Sequence, residues 1–232
     1  MTFRTKSLTN PARADVDAPT FGFWRVGTRE RQHAAIEALA DAWEARPWPA
    51  SALRTYSVFA GSDGTTLLHY SQWADEDAHR VFTRTGRDPR NEEVFAAVPG
   101  IERLGSTSYR LHRSRVDDPA TTAGCVVIVL RRFDKPDPDR ARQLIDTLFS
   151  VPAHTPTPGL LSAHFHVSTD GSRVLNYAEW TSENAHRAAV ADRPQEIDDN
   201  AEWRKAHSWP GLTSTTVQYF RPALTFVSRD TA

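Results

Sequence analysis

The sequence predicts an α+β fold made of two successive domains with the same plan, and two observations lead to that prediction. The first is an internal repeat: residues 62–80 and 169–187 align at a constant offset of 107, and nine of their nineteen positions are identical. A unit of about 100 residues is longer than solenoid repeats, which run to roughly 50 residues, so it indicates a duplicated domain. The second observation is that each half shows the same order of strand, helix, hairpin, helix and strand.

The first predicted domain covers residues 19–113. Thr28 can cap a helix whose apolar residues recur at helical spacing, and Asp75 can cap a later one. The dipeptide Asp63-Gly64 favours a type I′ hairpin turn, in which both central residues have positive φ. The predicted elements are a strand from Phe21 to Gly27, a helix through Trp43, strands Leu53–Ala60 and Thr65–Trp73, a helix through Arg84, a helix Asn91–Val98 and a strand Ile101–Arg113.

The second predicted domain covers residues 124–229 and follows a polar linker, residues 114–123. Asp137-Pro138 gives a helix cap followed by proline at the first helical position. The predicted elements are a strand Gly124–Phe133, a helix through Phe149, strands Gly159–Ser168 and Ser172–Trp180 around Asp170-Gly171, a helix capped by Ser182, a helix around Glu196–His207 and a strand Leu212–Val227. Residues 1–18 show no apolar pattern, and we predict a flexible tail there.

This element order is that of the split βαβ, ferredoxin-like plan, in which helices cover one face of an antiparallel four-stranded sheet. The other face of each sheet also needs cover, because an exposed apolar sheet face is unfavourable. The sequence therefore predicts two tandem ferredoxin-like domains packed sheet-to-sheet, an intrachain pseudo-dimeric α+β barrel.

Composition excludes several classes of function. The 232 residues carry a net charge of −1 without a basic run, so we expect no nucleic-acid partner. No segment has the roughly 20 apolar residues of a membrane span, and the first residues do not resemble a signal peptide. The single cysteine, Cys125, fits a reducing compartment, and we expect a cytoplasmic protein. The chain has no GxG or GxSxG motif, which argues against a dinucleotide site and a serine nucleophile.

The segment NYAEW at residues 176–180, followed by ENAHR at residues 183–187, resembles the antibiotic-biosynthesis monooxygenases, which are small dimeric α+β-barrel proteins. At the level of the fold the resemblance covers nearly the whole chain, twice. It implies that Asn176 and Trp180 hold an aromatic polyketide and stabilise its oxidised intermediates, without flavin, haem or metal. Some members carry a tyrosine six residues after the tryptophan, where this chain has His186, our third candidate catalytic residue.

The first copy departs from that pattern because His69 stands in the place of Asn176, while Trp73 is retained. Either the site of the first copy is altered, or this copy mainly completes the fold, and we favour the second interpretation. The repeated His79 and His186 have a structural alternative as well, since shared ancestry or a contact between a helix and a strand would also preserve them.

The alternation of a strand places Asn176 and Trp180 on one face together with Val174 and Ala178. At about 3.3 Å per residue the two candidates are roughly 13 Å apart, so they can border one cleft. An amide in an apolar cleft can stabilise a phenolate oxygen, and an indole offers a stacking face and an N–H donor. The alternatives are that Asn176 satisfies a turn or bulge and that Trp180 is ordinary core.

His164 and His166 share one face of the preceding predicted strand. They could be a structural or solvent-facing pair, a general base or hydrogen-bond donor to substrate, or metal ligands. Because the sequence shows no third ligand at suitable spacing, we predict no metal site. The candidate substrate contacts are His164, His166, Phe165, Tyr177, Trp203, His69 and Trp73.

From the resemblance we predict a cofactor-independent monooxygenase that uses O₂ to oxidise a polycyclic aromatic polyketide, such as an anthrone or a phenol, to a quinone. Two alternatives stay open. One is another enzyme on the same fold, a polyketide cyclase or a haem-degrading enzyme. The other is a non-enzymatic stress-response protein that binds a small molecule. Pairing of two chains as a homodimer also stays open.

Overall fold

The computed structural model describes residues 1–84, 88–150, 157–192 and 201–228. The chain forms two compact units. Unit 1 comprises residues 1–109 and 220–232, and unit 2 comprises residues 110–219. We describe each unit by itself.

Unit 1 is an antiparallel sheet with helices on one face. Its elements are β1 (Thr2–Arg4), β2 (Ala18–Arg25), α1 (Arg29–Glu44), β3 (Leu53–Gly61), β4 (Thr66–Trp73), α2 (Glu76–Arg84), α3 (Pro89–Ala97) and the first part of β5 (Glu102–Val116). The last part of β9 (Leu212–Ser228) completes it, and the strand order is β1-β9-β3-β4-β2-β5. Its core joins buried residues of α1, such as Leu39 and Trp43, to Val58 and Trp73 of the sheet.

Unit 2 repeats this arrangement. Its further elements are β6 (Cys125–Phe133), α4 (Pro138–Ser150), β7 (Leu160–Ser168), β8 (Arg173–Trp180), α5 (Glu183–Ala191) and α6 (Ala201–His207). The later part of β5 and the first part of β9 belong to this unit as well, and the strand order is β5-β7-β8-β6-β9. The predicted α+β class, with a ferredoxin-like plan in each half, is confirmed.

The strand register preserves the repeat residue by residue. In unit 1 Val58 pairs with His69, and in unit 2 Phe165 pairs with Asn176, which is the same pairing displaced by 107. Even the irregularities correspond, since the register shifts between positions 53 and 55 of β3 and between positions 160 and 162 of β7. Equivalent positions of the two units can therefore be compared directly.

The hairpin turns differ from the predicted type I′. Gly64 has a φ of 73°, but Asp63 does not have positive φ, and among the described residues only glycines do. The amide N–H of Gly64 donates to the carbonyl of Gly61, while the Asp63 carboxylate accepts from the backbone N–H of Thr65 at 2.8 Å. One left-handed glycine and a side-chain acceptor thus replace the two left-handed residues of a type I′ turn.

The first residues are ordered, which corrects the prediction of a flexible tail over residues 1–18. Thr2–Arg4 pair with the end of β9, and the Thr9 hydroxyl lies 3.0 Å from the Ser57 hydroxyl in the interior of unit 1. A three-residue edge strand held by main-chain bonds to a distant strand leaves no periodic signal in the sequence.

The linker prediction also needs correction at its start, since β5 continues through Val116.

The boundaries of the compact units differ from those of the predicted domains, because the last parts of β5 and β9 each belong to the other unit. The predicted boundaries at residues 113 and 229 follow the sequence repeat, whereas β5 passes into unit 2 after Tyr109 and β9 passes into unit 1 at Phe220. Both strands are long, with fifteen and seventeen residues, and each contributes residues to both units.

Candidate functional site

Unit 2 contains a cavity of about 440 Å³ between its sheet and the helices α4 and α5. Most of its wall is apolar, contributed by alternate residues of β6, β7 and β8. The lining residues are Arg115, Val127, Val129, Leu148, Phe149, Ser150, Leu160, Ala163, Phe165, Asn176, Ala178, Trp180 and His186. The size and the apolar wall with few polar groups are typical of a site for a small organic molecule.

Asn176 lies in the middle of β8, between Val129 of β6 and Phe165 of β7. Its side chain faces the cavity, and its Oδ1 atom is buried without a hydrogen-bond partner among the described residues. Among the described residues, the amide oxygen therefore accepts no hydrogen bond from a turn or bulge. A buried amide oxygen without a partner costs stability, and a hydrogen-bond donor on a bound molecule would satisfy it.

Trp180 ends β8 and faces the same cavity, as the strand alternation predicts. Only 6% of this residue is exposed, and its indole Nε1 is buried without an acceptor in the described part of the chain. One amide oxygen and one indole nitrogen, neither with a partner among the residues that the structure describes, thus belong to the wall of a single apolar cavity.

His186 lies in the first turn of α5, which is capped by Ser182. Its ring packs edge-on against Trp180, with the centroids 4.9 Å apart, and its Nδ1 is 3.2 Å from the Tyr219 hydroxyl. The Arg187 guanidinium packs over the ring of Tyr219, 4.4 Å from its centroid. These contacts fix the orientation of the imidazole at the cavity wall.

Phe165 also lies in the wall, where its ring packs edge-on against Phe149 of α4 at 5.3 Å. The structure adds two residues that the sequence did not reveal. Arg115 lines the cavity and pairs with Asp117, although its position falls in the predicted linker. Tyr219 reaches His186 from β9, and nothing in the sequence around it marks this contact.

His164, His166 and Tyr177 do not lie at this cavity, which corrects their prediction as substrate contacts beside Asn176. The pair Phe165–Asn176 faces the cavity, so the neighbouring residues of β7 and β8 face the opposite side of the sheet. There the Nδ1 of His164 lies 2.8 Å from the Ser114 hydroxyl, and the Tyr177 hydroxyl donates to Glu179.

The two histidines are also not solvent-facing. Burial lowers the pKa of His164 to about 4 and that of His166 to about 3, so both rings are neutral at pH 7. The last candidate contact, Trp203, belongs to α6, but its side chain lies outside the described residues.

Unit 1 has the equivalent cavity in a much smaller form, about 150 Å³. His69 and Trp73 line it, as the repeat predicts. Tyr56 occupies the position of Ala163, and its hydroxyl lies 2.6 Å from the Nδ1 of His69. The tyrosine ring thus takes up space that the methyl group of Ala163 leaves open in unit 2.

Within the described residues, no group of three or more histidine, cysteine, aspartate or glutamate side chains is placed to hold a metal ion. In the same part of the chain, no helix is both long and apolar enough to cross a bilayer.

Residues 126–207, which carry the larger cavity's central strands, match the family described as antibiotic biosynthesis monooxygenase. This match covers about a third of the chain and shows a similarity of its second half to that family. A curated relative, tetracenomycin-F1 monooxygenase of Streptomyces glaucescens, is 46% identical over 57 residues, which are 24% of this chain and 51% of the relative. The chain thus matches about half the length of that relative.

A likeness in structure covers more of the chain. The crystal structure of an anthrone oxidase-like protein is similar with a TM-score of 0.71 over 94% of this chain and 96% of that one, at 15% sequence identity. At this identity the likeness shows the fold alone, and that fold extends over both halves of the chain.

Proposed function

We propose that the protein is a cofactor-independent monooxygenase that oxidises a polycyclic aromatic polyketide, an anthrone or electron-rich phenol, to a quinone with O₂. The observation that carries the proposal is a pair of buried polar atoms in one apolar cavity, Asn176 Oδ1 and Trp180 Nε1, for which the described residues provide no hydrogen-bond partner. A flat molecule with a hydroxyl group at one edge and a carbonyl oxygen at another would satisfy both, because the hydroxyl donates to Asn176 Oδ1 and the carbonyl accepts from Trp180 Nε1.

The size of the cavity supports this class of substrate. Sites for small organic molecules usually measure about 300–1,000 Å³, and the cavity of about 440 Å³ lies in the lower part of that range. Phe165 and Trp180 offer aromatic faces and edges for a planar ring system. The names of the curated relative and of the similar structure, a tetracenomycin monooxygenase and an anthrone oxidase-like protein, point to the same chemistry.

The proposed reaction balances without a further reductant. A base removes one proton from the methylene carbon of the anthrone, and the resulting carbanion gives one electron to O₂. The carbon radical and superoxide combine and take up a proton, which forms a hydroperoxide. Loss of the second C–H proton breaks the O–O bond and releases water, leaving a carbonyl group. One anthrone and one O₂ thus give one quinone and one water.

The residues of the cavity have separate tasks in this proposal. His186 accepts the first proton, since a neutral imidazole suits proton abstraction near pH 7 and Tyr219 holds its ring in place. The NH₂ group of Asn176 stabilises the negative oxygen of the ionised substrate, as an oxyanion hole does. Trp180 orients the ring system, and the apolar wall excludes water from the reactive carbanion.

The decisive experiment is turnover of anthrone by protein freed of metal and flavin, with and without O₂. We expect quinone only in the presence of O₂, with one oxygen atom from ¹⁸O₂ in the new carbonyl group. A cyclase would give product anaerobically, and a haem-degrading enzyme would bind haemin with a shifted Soret band. Tight binding of anthrone without any turnover would instead favour a non-enzymatic binding protein.

A further inference from the structure

The smaller cavity of unit 1 has a chemistry of its own. It measures about 150 Å³, and tryptophan side chains contribute three of its walls, namely Trp24, Trp43 and Trp73. A cavity of this size holds one benzene ring, whereas a three-ring anthrone is too large for it. Its contents must therefore differ from those of the cavity beside Asn176.

His69 supplies the polar group of this cavity. One ring nitrogen, Nδ1, is 2.6 Å from the Tyr56 hydroxyl, and the ring of Trp24 packs on the imidazole with the centroids 4.1 Å apart. The other nitrogen, Nε2, is buried and has no hydrogen-bond partner within the described residues. Only 9% of His69 is exposed, so bulk water does not readily form a hydrogen bond with Nε2.

The surroundings keep His69 a neutral hydrogen-bonding group. Burial, and next the positive charge of Arg103, lower its pKa to about 3. Burial also raises the pKa of Tyr56, so the tyrosine hydroxyl keeps its proton and can donate a hydrogen bond to His69 Nδ1. Nε2 then carries the ring proton and can donate to an oxygen atom in the cavity. Arg103 lines the same cavity and favours an oxygen with negative charge.

We propose that unit 1 contains a second ligand site, which binds a single-ring phenol with its oxygen on His69 Nε2 and its ring among the tryptophans. This site is independent of the oxygenase proposal, because it requires binding and no turnover. It gives the first copy a task beyond completing the fold.

The test uses phenol and toluene, which have nearly the same size but differ in the hydroxyl group. Binding is followed through the indole N–H signals in ¹H–¹⁵N NMR spectra, since Trp24, Trp43 and Trp73 report on unit 1 and Trp180 reports on unit 2. We expect phenol to shift the three unit 1 signals and to bind about tenfold more tightly than toluene, as one good hydrogen bond allows.

Two variants locate the binding. His69→Leu should reduce the affinity for phenol to that for toluene, while Asn176→Leu, the matched change in unit 2, should leave the unit 1 signals and the phenol affinity unchanged. Equal affinities of phenol and toluene in the unaltered protein would overturn the proposal, and so would shifts confined to Trp180 or no shift up to the solubility limit of phenol. The ligand pair needs no variant, so the test stands even if His69→Leu does not fold.

Discussion

Asn176 and His69 stand at equivalent positions of β8 and β4, the corresponding strands of the two units, but face different surroundings. The amide of Asn176 lies in a cavity of about 440 Å³, whereas one nitrogen of His69 is already engaged by Tyr56. We therefore expect Asn176→Ala to lower the rate of quinone formation about a hundredfold, the usual loss when one oxyanion donor is removed. His69→Ala should change that rate by less than about threefold. Steady-state rates on anthrone, with thermal unfolding as the control for folding, provide the measurement; equal losses in both variants would contradict an asymmetric pair of sites.

The buried histidines predict how stability depends on pH. The folded-state pKa values of His69 and His166 are about 3 and that of His164 is about 4, all below the ordinary value of 6.5. Between those values and 6.5 the unfolded chain binds more protons than the folded chain, so stability is complete above pH 6.5 and falls as the pH decreases toward 3–4. Each of the three histidines should lower the free energy of unfolding at pH 5.5 by about 1 kcal/mol relative to pH 7.5.

Urea unfolding at several pH values measures this dependence. Between pH 7.5 and 5.5 the free energy of unfolding should fall by about 1 kcal/mol less in His166→Gln than in the unaltered protein. The variant lacks one group that takes up a proton in the unfolded chain. A stability that stays constant over this interval in the unaltered protein would show that the buried rings are accommodated in charged form.

At the scale of elements, the second hairpin turn is held against the start of α4. Gly171 has a φ of 71°, and a Cβ atom there would lie 2.5 Å from Cδ of Pro138. Gly105 also has positive φ, 94°, but a Cβ there would meet nothing within 4 Å. Gly105→Ala should therefore cost about 1–2 kcal/mol for the left-handed backbone alone, and Gly171→Ala should cost about 1–3 kcal/mol more because the turn or α4 must also move.

Denaturant unfolding of the two glycine variants gives the comparison, with Gly105→Ala as the matched control for backbone strain. Equal losses of stability would mean that the turn shifts away from α4 without cost, and that the close approach does not fix the hairpin.

The elements differ in how much of them the sequence could reveal. Helix starts were predictable because Thr28, Asp75 and Ser182 each accept a hydrogen bond from the N–H three residues later, which is a local interaction. Which face of β7 lines the cavity was not predictable. Both faces of this strand are buried, so apolar and polar residues do not alternate along it in a way that separates them. The sequence therefore does not show that His164 and His166 face the other side of the sheet from Asn176.

The candidate site shows the same limit. Asn176 and Trp180 were predictable because they lie on one strand, whose alternation puts them on one face. Arg115 and Tyr219 were not, since each reaches the site from a strand far away in the sequence. Their positions depend on strand pairing, which a single sequence without local signals does not specify.

At the scale of the whole molecule, duplication let one scaffold carry two cavities of different size. The register equates Tyr56 with Ala163, and this exchange of a large ring for a methyl group matches the difference between about 150 and 440 Å³. The unit with the larger cavity keeps the amide, and the unit with the smaller one has histidine in its place. Size and chemistry have thus changed together.

Filling the larger cavity tests this relation. Ala163→Tyr should place a ring in the open space of unit 2, so anthrone turnover should fall at least tenfold while the melting temperature stays the same or rises, because the added ring enters a void instead of a packed core. Ala163→Val fills less of the cavity and should lose less activity. Phenol binding in unit 1 should be unchanged in both variants, which separates loss of space from loss of folding. If Ala163→Tyr kept full activity on anthrone, the substrate would have to bind elsewhere than beside Asn176.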